Sequence, residues 1–271
     1  MPNHKQKIRL TAEQETLLIT LYSRAFGCPR SVLDDQVSRD ILEHIEYDFS
    51  HLKITAGTRL TLCIRAKKID DYVREFLDSN PGSVVLHLGC GLDSRYTRVN
   101  NREAEWYDLD VPEVIDLRMI FFEETDRYHM IPSSVTDLRW IDTITHNNSP
   151  VLVVAEGLMM YLSEEEVKSL VLKLREEFPG CSLVFDAYST LTAKHVKRNP
   201  LIKQTGAVIK WGIDDARAIE RWAEGIRLKE EWYFIQSEEI KKLALRHRAL
   251  FRLTGLFPVV RRAHRILYYT L

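Results

Sequence analysis

The sequence lacks the features of secreted, membrane-spanning and zinc-binding chains. Its four cysteines, Cys28, Cys63, Cys90 and Cys181, form neither a CxxC pair nor a Cys/His cluster at the spacing of zinc ligands. No apolar run approaches the length of a membrane span, and residues 1–10 are polar and basic. We therefore expect a soluble, cytoplasmic protein with reduced cysteines, no bound metal and no membrane partner.

Neither sign of charge is in excess over the whole chain. Its 271 residues include 38 Lys and Arg against 39 Asp and Glu, and 45% of the residues are hydrophobic. This balance excludes a disordered chain and does not favour nucleic acid as a partner. The C-terminal part differs, because no acidic residue follows Glu239 while eight Lys and Arg do. We interpret this stretch as a solvated helix face and a core strand, with contact to RNA or an anionic head group as the alternative.

Helical periodicity dominates the first 80 residues. A capping-box pattern at residues 11–14 opens the first predicted helix, and apolar residues recur at helical spacing through 32–45 and 62–77. The sequence Asp-Ser-Asn-Pro-Gly at 78–82 then ends the helical part.

Short buried strands alternate with helices after this break. A second capping box at Ser163 and Glu166 opens a helix that ends at Pro179. Strands that alternate with helices in this way are typical of an α/β, doubly wound and mostly parallel sheet. The predicted strands are 83–88, 105–110, 150–156, 181–186, 232–235 and 265–270. We expect one domain made of a helical N-terminal extension (1–80), a core (83–186), a helical lid insertion (190–228) and late strands (229–271).

The turn after the first predicted strand contains two glycines, Gly89 and Gly91, where a helix begins. Glycine lets the backbone approach a ligand closely, and the helix N-terminus offers free N–H groups. The third glycine of the dinucleotide motif G-x-G-x-x-G is replaced by Ser94, so a ligand without pyrophosphate is favoured. A glycine pair alone is equally consistent with tight packing.

An acidic residue at the end of the second predicted strand strengthens the interpretation as a nucleoside site. Asp110 follows the glycine turn by about 20 residues, the spacing at which an acid accepts the hydroxyl protons of a ribose. Asp108 is the alternative, but Asp110 lies nearer the carboxyl end of the strand, where ligands bind.

Four blocks, at 65–70, 85–95, 107–115 and 155–162, form a set of motifs within residues 59–186. Together they resemble the leucine carboxyl methyltransferase family, which includes tetracenomycin-polyketide-type O-methyltransferases. It implies a class I, Rossmann-like methyltransferase with a seven-stranded sheet and S-adenosylmethionine as the cofactor.

The resemblance also implies roles for individual residues. Gly89 and Gly91 would lie along the cofactor backbone, Asp110 on its ribose, Arg65 at the methionine carboxylate and Glu156 near the amino-acid end. An arginine for the carboxylate and an acid for the cationic side are the expected complements of this cofactor.

One block departs from the branch of the family that methylates a phosphatase. Where that branch has an Asp-Leu pair for adenine, this chain has Ser134 and Val135. A serine still hydrogen-bonds an adenine edge but offers no carboxylate to the exocyclic amine. We therefore favour methylation of a hydroxyl or carboxyl oxygen on a small metabolite. The resemblance to the tetracenomycin-polyketide-type branch implies a polyketide-like acceptor.

Candidates for a general base lie near predicted strand ends, and the sequence does not choose among them. They are Tyr161, Asp186, Tyr188 and His195. We interpret His87, inside the first strand, as a structural histidine and Cys90 as a small packing residue.

Three other functions remain open from the sequence. A nicotinamide-dependent reductase is disfavoured by Ser94 and by the block around Glu156, and a binding protein without turnover is disfavoured by the complete set of cofactor residues. An RNA methyltransferase that uses the basic C-terminal part is the third. The oligomeric state is not predicted.

Overall fold

The computed structural model describes residues 6–7, 15–49, 54–196, 207–242 and 257–271. Within these ranges the helices are α1 (Glu15–Phe26), α2 (Gln36–His44), α3 (Ala56–Ser79), α4 (Arg95–Val99), α5 (Pro112–Arg118), α6 (Glu164–Glu177), α7 (Thr190–Val196) and α8 (Pro258–Arg261). The strands are β1 (Gln6–Lys7), β2 (Ile45–Glu46), β3 (Val84–Leu88), β4 (Glu105–Asp110), β5 (Tyr128–Pro132), β6 (Val151–Ala155), β7 (Ser182–Tyr188), β8 (Arg227–Tyr233) and β9 (His264–Thr270).

Seven of these strands form one doubly wound sheet in the order β5-β4-β3-β6-β7-β9-β8. The five strands from β5 to β7 are parallel, whereas β9 runs antiparallel to both of its neighbours. The order reverses between β3 and β6, and ligands of open α/β sheets bind beyond the carboxyl ends of the strands at such a reversal. The predicted α/β class and mostly parallel sheet are confirmed.

The central strands are buried because helices cover both faces of the sheet. Every residue of β3 and β6 is buried, which agrees with their apolar, β-branched sequences. Val85, Val154 and Val184 point to the face covered by α3, and Leu86 and Phe185 point to the face covered by α6. Each face therefore has its own apolar core.

The N-terminal helices cover the turn that follows β3. Leu18 and Leu21 of α1 and Ile41 of α2 pack in one cluster with Leu92, just after the glycine turn. Arg24 of α1 donates from Nη2 to the carbonyl oxygen of Leu92 at 3.2 Å. The helical extension is thus tied to the edge of the sheet where ligands bind.

The predicted lid insertion is helical in part and contributes to the core in part. It begins with α7, and its later residues Ile213, Ile219 and Ile226 are buried in the core on the α6 face. The assignment of residues 190–228 as a lid stays a prediction. Of the helices within the described ranges, none is both long and apolar enough to cross a membrane.

The short strands β1 and β2 were not predicted, and two strands of the seven-stranded sheet differ from the sequence prediction. The edge strand β5 was not predicted, because it is short, contains His129 and ends at Pro132, a residue tolerated at sheet edges. The predicted strand 232–235 is instead β8 at Arg227–Tyr233, since a charged stretch can form an edge strand that an apolar pattern does not reveal.

The two predicted capping boxes have different outcomes. At the start of α6, Ser163 and Glu166 bond each other's backbone N–H groups at 3.2 and 2.6 Å, as predicted. The capping box at residues 11–14 lies outside the described residues.

Candidate active site

The turn after β3 contains two glycines in the left-handed region. Gly89 has a φ of 64° and Gly91 a φ of 51°. The backbone N–H of Gly89 donates to the carbonyl of Leu109 at 2.8 Å, so the turn is held against β4. A Cβ at Gly89 would lie 3.1 Å from the side chain of Leu158. Both the backbone conformation and the available space therefore favour glycine here.

Asp110 closes β4 directly beside this turn. Its Oδ2 accepts from the N–H of Gly91 at 2.8 Å, and its Oδ1 accepts from the N–H of Val111 at 2.8 Å. Burial raises the pKa of Asp110, and these two N–H donors oppose that rise. Each oxygen keeps lone-pair capacity for a further donor such as a ribose hydroxyl.

Asp108, the alternative ribose ligand, has a structural role instead. It is fully buried and accepts from the hydroxyl of Tyr128 at 2.6 Å and pairs with Nδ1 of His87 at 2.9 Å. Although burial favours its neutral form, the guanidinium of Arg118 lowers the pKa of Asp108 to about 2. Its oxygens are occupied by these partners, so Asp110 is the better candidate for a ligand.

Ser134 and Val135 follow β5 on the other side of Asp110. In the ladder Asp110 lies opposite Pro132, and the N–H of Ser133 donates to the carbonyl of Asp110 at 2.9 Å. The hydroxyl of Ser134 lies 2.8 Å from that of Thr136, while Val135 is buried. The structure thus brings the predicted adenine residues next to the predicted ribose residue.

Arg65 of α3 lies between two carboxylates at the carboxyl ends of β6 and β7. Its Nε donates to Glu156 Oε1 at 3.0 Å and its Nη1 to Asp186 Oδ2 at 2.8 Å. Asp186 also accepts from the N–H of Gly157 at 2.5 Å. Despite its burial, the pKa of Asp186 is held low by Arg65 and by hydrogen bonds from its neighbours.

Gly157 leaves room at the remaining nitrogen of Arg65. Its φ is 69°, and a Cβ at this position would lie 3.3 Å from Arg65 Nη2. Within the described part of the chain, Nη2 has no hydrogen-bond partner. The absence of a side chain at Gly157 therefore opens an approach for a carboxylate ligand to the guanidinium.

A wider network of buried charges supports Arg65 and Glu156. Arg95 contacts the second oxygen of Glu156 and donates to Asp70 of α3 at 2.8 Å. Arg98 bonds Asp70 at 2.9 Å and connects the network to the helices of the N-terminal extension. Within the described ranges the carboxylates connected through guanidinium groups are Asp35, Asp70, Asp93, Glu156 and Asp186, and the guanidinium groups are Arg24, Arg65, Arg95 and Arg98. His87 connects this set to the ion pair of Asp108 and Arg118.

This network carries one more negative than positive charge when its histidines are neutral. A buried excess charge is unfavourable unless a ligand or proton compensates it. S-adenosylmethionine carries a sulfonium, an ammonium and one carboxylate, and therefore has the opposite net charge. The donor set and the charge of the site both fit this cofactor.

The candidates for a general base are not all at this site. Tyr161 and Tyr188 lie near Asp186 and Arg65, and burial raises the pKa of both phenols. His195 is exposed on α7, where its Nδ1 lies 2.8 Å from the carbonyl oxygen of Leu191. His195 is therefore not part of the network of buried charges around Arg65 and Glu156.

Two residues that we interpreted as structural are structural. His87 is 1% exposed and contacts Arg95 as well as Asp108. Cys90 is buried, and burial raises the pKa of its thiol well above the ordinary value, which disfavours a thiolate nucleophile.

Sequence reasoning missed several residues of the site. Asp70, Asp93 and Arg95 were not candidates, because isolated charges on helices and in turns are usually solvated. Burial of Asp70 among apolar residues of α3 was the available signal: it follows Ile69 and lies three residues before Val73. His264 had no local signal, since its partner Asp186 is 78 residues away.

Solved structures with a similar fold include methyltransferases. A putative methyltransferase from Thermobifida fusca superposes with a TM-score of 0.56 at 14% identity and covers 93% of both chains. A DUF574 family protein from Streptomyces avermitilis gives a TM-score of 0.59 at 12% identity over 96% of this chain and 99% of that chain. The fold is that of the class I S-adenosylmethionine-dependent methyltransferases, and this chain is an enzyme of that class.

Sequence comparisons define the family. The leucine carboxyl methyltransferase family model matches residues 22–174. The chain is 38% identical to the tetracenomycin polyketide synthesis O-methyltransferase TcmP of Streptomyces glaucescens over 98% of this chain and 99% of that protein. It is 32% identical to the S-adenosyl-L-methionine-dependent methyltransferase dpfgK of Gibberella zeae over 85% of each. The chain belongs to the leucine carboxyl methyltransferase family.

Proposed function

We propose that this enzyme transfers a methyl group to a hydroxyl or carboxyl oxygen of a small molecule. The observation that carries the cofactor part of the proposal is the hydrogen bond from the N–H of Gly91 to Asp110, which joins the glycine turn to an acid at the carboxyl edge of the sheet. The similarity to TcmP, an O-methyltransferase of tetracenomycin polyketide synthesis, supports oxygen as the acceptor atom and a polyketide-like acceptor.

The adenosine half of the cofactor is assigned to the β3–β4–β5 side of the site. Asp110 would accept the ribose hydroxyls, and Gly89 and Gly91 would let the backbone approach the cofactor. Ser134 and Val135 would contact the adenine, one with a hydroxyl and the other with an apolar surface. Their position beside Asp110 supports this assignment.

We assign the methionine half to the carboxyl ends of β6 and β7, on the face of the sheet that α3 covers. Arg65 would bind the carboxylate through Nη2, and Glu156 would lie near the ammonium. Since Arg65 is held on both sides by carboxylates, its guanidinium is oriented before the ligand arrives.

The protein would accelerate the reaction mainly by alignment and by excluding water. The cofactor supplies a methyl group on a positively charged sulfur, and charge is dispersed when an oxygen nucleophile attacks that carbon in line. Burial of the site between the sheet edge and the N-terminal helices provides a medium in which such alignment is effective.

Cofactor binding provides the first test. Adenosylhomocysteine at about 100 times its dissociation constant should stabilise the native state by about 2.7 kcal/mol, whereas NADH should have no effect. Differential scanning fluorimetry measures both. A shift with NADH and none with adenosylhomocysteine would favour a nicotinamide-dependent reductase.

Acceptor class provides the second test. The enzyme is incubated with methyl-labelled S-adenosylmethionine and separate pools of phenols, carboxylic acids and mixed RNA. We expect label in the small-molecule pools and none in RNA. Labelled RNA, with binding that falls steeply as salt rises, would favour an RNA methyltransferase, and binding without any transfer would favour a non-catalytic protein.

A further inference from the structure

A tyrosine at the carboxyl end of β7 lies on the same face of the sheet as Arg65 and its acidic partners. Alternate residues of a strand point to one face, so Asp186 and Tyr188 follow Val184 onto the face that α3 covers. The charges of Arg65 and Asp186 both act on the Tyr188 phenol. Tyr188 therefore lies beside the place assigned to the methionine half of the cofactor, from which the methyl group is transferred.

The surroundings hold the ring of Tyr188 in place. Its centroid lies 4.7 Å from that of the His264 ring. The side chain also packs against a small apolar cluster formed by Met160, Ala193 and Ile209. A ring with packed neighbours of this kind keeps one orientation, so its hydroxyl has a defined position.

The hydroxyl of Tyr188 is available to a ligand. Asp186, the nearby carboxylate, already accepts from the N–H of Gly157 at 2.5 Å and from Arg65 at 2.8 Å, and its Oδ2 lies 2.6 Å from Nε2 of His264. Within the part of the chain that the structure describes, the Tyr188 hydroxyl has no hydrogen-bond partner. A half-buried hydroxyl is unfavourable unless water or a ligand accepts its hydrogen bond.

The second tyrosine near Arg65 differs in this respect. Tyr161 follows β6, and its hydroxyl is hydrogen-bonded to Thr16 of α1. That bond connects the N-terminal helix to the sheet and gives the Tyr161 hydroxyl a structural partner. Of the two phenols, Tyr188 is therefore the better candidate for contact with a substrate.

The phenol of Tyr188 is suited to donate a hydrogen bond rather than to remove a proton. Burial raises its pKa, and the charge of Asp186 raises it further. The hydroxyl therefore keeps its proton at neutral pH. A donor of this kind suits an acceptor that is already ionised, and a carboxylic acid is ionised at neutral pH whereas an alcohol is not.

We propose that Tyr188 binds the methyl acceptor, and that the acceptor presents a carboxylate to which the Tyr188 hydroxyl donates a hydrogen bond. The inference rests on the proposed function and deepens it, because it selects one of the two classes of oxygen and names the side chain that positions it. Tyr188 is then a substrate-binding residue and not a general base.

The proposed step balances in atoms and charge. One oxygen of the acceptor carboxylate forms the new bond to the methyl carbon, while the other oxygen accepts from Tyr188. The bond between that carbon and the positively charged sulfur breaks, and its electron pair remains on sulfur. The products are a methyl ester and a neutral thioether, and no proton is transferred. The hydrogen bond leaves the lone pairs of the reacting oxygen free, so the protein contributes alignment.

The test compares Tyr188→Phe with the matched control Tyr268→Phe on fused-ring aromatic carboxylic acids such as 2-naphthoic acid. Phenylalanine keeps the ring and removes only the hydroxyl. We expect Tyr188→Phe to lower kcat/KM for these acids by about 10–100-fold, because a charge-assisted hydrogen bond is lost. The KM for S-adenosylmethionine should stay unchanged, whereas a merely structural role of the hydroxyl would alter both.

Tyr268 is a suitable control because its hydroxyl lies at the opposite edge of the sheet. It is a half-buried tyrosine of β9, and its hydroxyl donates to Ser182 at the start of β7 at 3.3 Å. Tyr268→Phe should therefore methylate the acids as the unmodified enzyme does.

A second readout does not depend on turnover. Calorimetry on the protein saturated with adenosylhomocysteine compares 2-naphthoic acid with 2-acetylnaphthalene, a neutral ketone of similar shape. Tyr188→Phe should weaken binding of the acid by about tenfold or more and binding of the ketone much less, because a hydrogen bond to a charged oxygen is the stronger one. An unchanged affinity for adenosylhomocysteine shows that the variant is folded.

The failures of the two proposals are distinguishable. Equal kcat/KM and equal affinity for the acid in Tyr188→Phe overturn the role of Tyr188, and so does a loss that adenosylhomocysteine affinity shares. An enzyme that binds adenosylhomocysteine but methylates only hydroxyl groups, or that neither binds nor methylates the aromatic acids, also overturns it. Each of these results leaves cofactor binding intact, whereas a protein that does not bind adenosylhomocysteine contradicts the proposed function itself.

Discussion

Arg65 shows how one residue can belong to both the protein core and the ligand site. It is 4% exposed and uses two of its nitrogens on Glu156 and Asp186. Its bonds to two acids hold the guanidinium group in a single orientation. Removal of either partner would leave buried charge without full compensation. The third nitrogen, Nη2, is the group that Gly157 leaves accessible.

Arg65→Lys should weaken the binding of adenosylhomocysteine by about tenfold or more, since a lysine ammonium does not replace the planar fork of an arginine. The affinity for adenosine, which has no methionine carboxylate, should change little. Calorimetry with the two ligands measures the difference.

Lys67→Arg is the control for this variant, because Lys67 lies on the same helix and pairs with Asp71 near the surface. An equal loss of affinity for both ligands in Arg65→Lys would show that Arg65 does not contact the methionine end.

Individual residues were predictable from the sequence where the backbone conformation or the spacing along the chain restricts the residue type. Gly89 and Gly91 follow a buried strand in a turn that only glycine adopts easily, and Asp110 closes the next strand at the expected spacing. Asp186 and His264 could not be paired, because the antiparallel insertion of β9 beside β7 brings them together.

At the scale of secondary-structure elements, α6 is defined by its N-terminal cap. Ser163 and Glu166 satisfy each other's backbone N–H groups, and three acidic residues in the first turn interact favourably with the positive end of the helix dipole. The apolar side of the helix, including Val167 and Leu170, then covers the sheet.

Ser163→Ala should destabilise the protein by about 1 kcal/mol, because one helix-start N–H loses its acceptor. The midpoint of urea unfolding should fall, while adenosylhomocysteine affinity stays unchanged. Ser79→Ala is a suitable comparison, since the Ser79 hydroxyl caps no backbone N–H. It donates to the carbonyl of Glu75 at the exposed end of α3. Equal midpoints for Ser163→Ala and the unmodified protein would contradict a stabilising role for the cap.

Central elements were predicted better than edge elements. β3 and β6 are buried on both faces, and their continuous apolar sequences show it. β5 and β8 are edge strands whose polar residues, such as His129 and Glu230, break the apolar pattern. Their pairing depends on the neighbouring strand, which local sequence does not specify.

At the scale of the whole molecule, buried carboxylates connect the N-terminal helices to the sheet. Asp35 caps α2 and also accepts from Ser94 at 2.6 Å and from Arg98 at 3.0 Å. No local sequence pattern indicates this connection, because the acids and arginines come from separate helices and strand ends.

The network predicts loss of stability in acid. Neighbouring arginines outweigh the effect of burial and hold the pKa values of five buried acids below the ordinary range, namely those of Asp35, Asp70, Asp93, Asp108 and Asp186. Their stabilisation is complete above the unfolded pKa of about 4 and is lost as pH falls through the lower folded values. Urea midpoints should therefore fall steeply as the pH drops from about 4 towards about 2.

Asp108→Asn provides the matched variant for this pH dependence. It leaves Arg118 buried without its counter-charge, so it should cost about 3–5 kcal/mol at neutral pH and make the acid decline shallower. A urea midpoint that stays constant down to pH 3 in the unmodified protein would contradict the contribution of these acids.

The most direct test of the adenosine site is calorimetric titration of Asp110→Ala with adenosylhomocysteine. Because the ribose hydroxyls lose their acceptor, affinity should fall by about 1–3 kcal/mol. The control is Asp116→Ala, whose side chain is exposed on α5 and whose affinity should not change. Equal dissociation constants for Asp110→Ala and the unmodified enzyme would show that the carboxylate beside the glycine turn does not hold the cofactor.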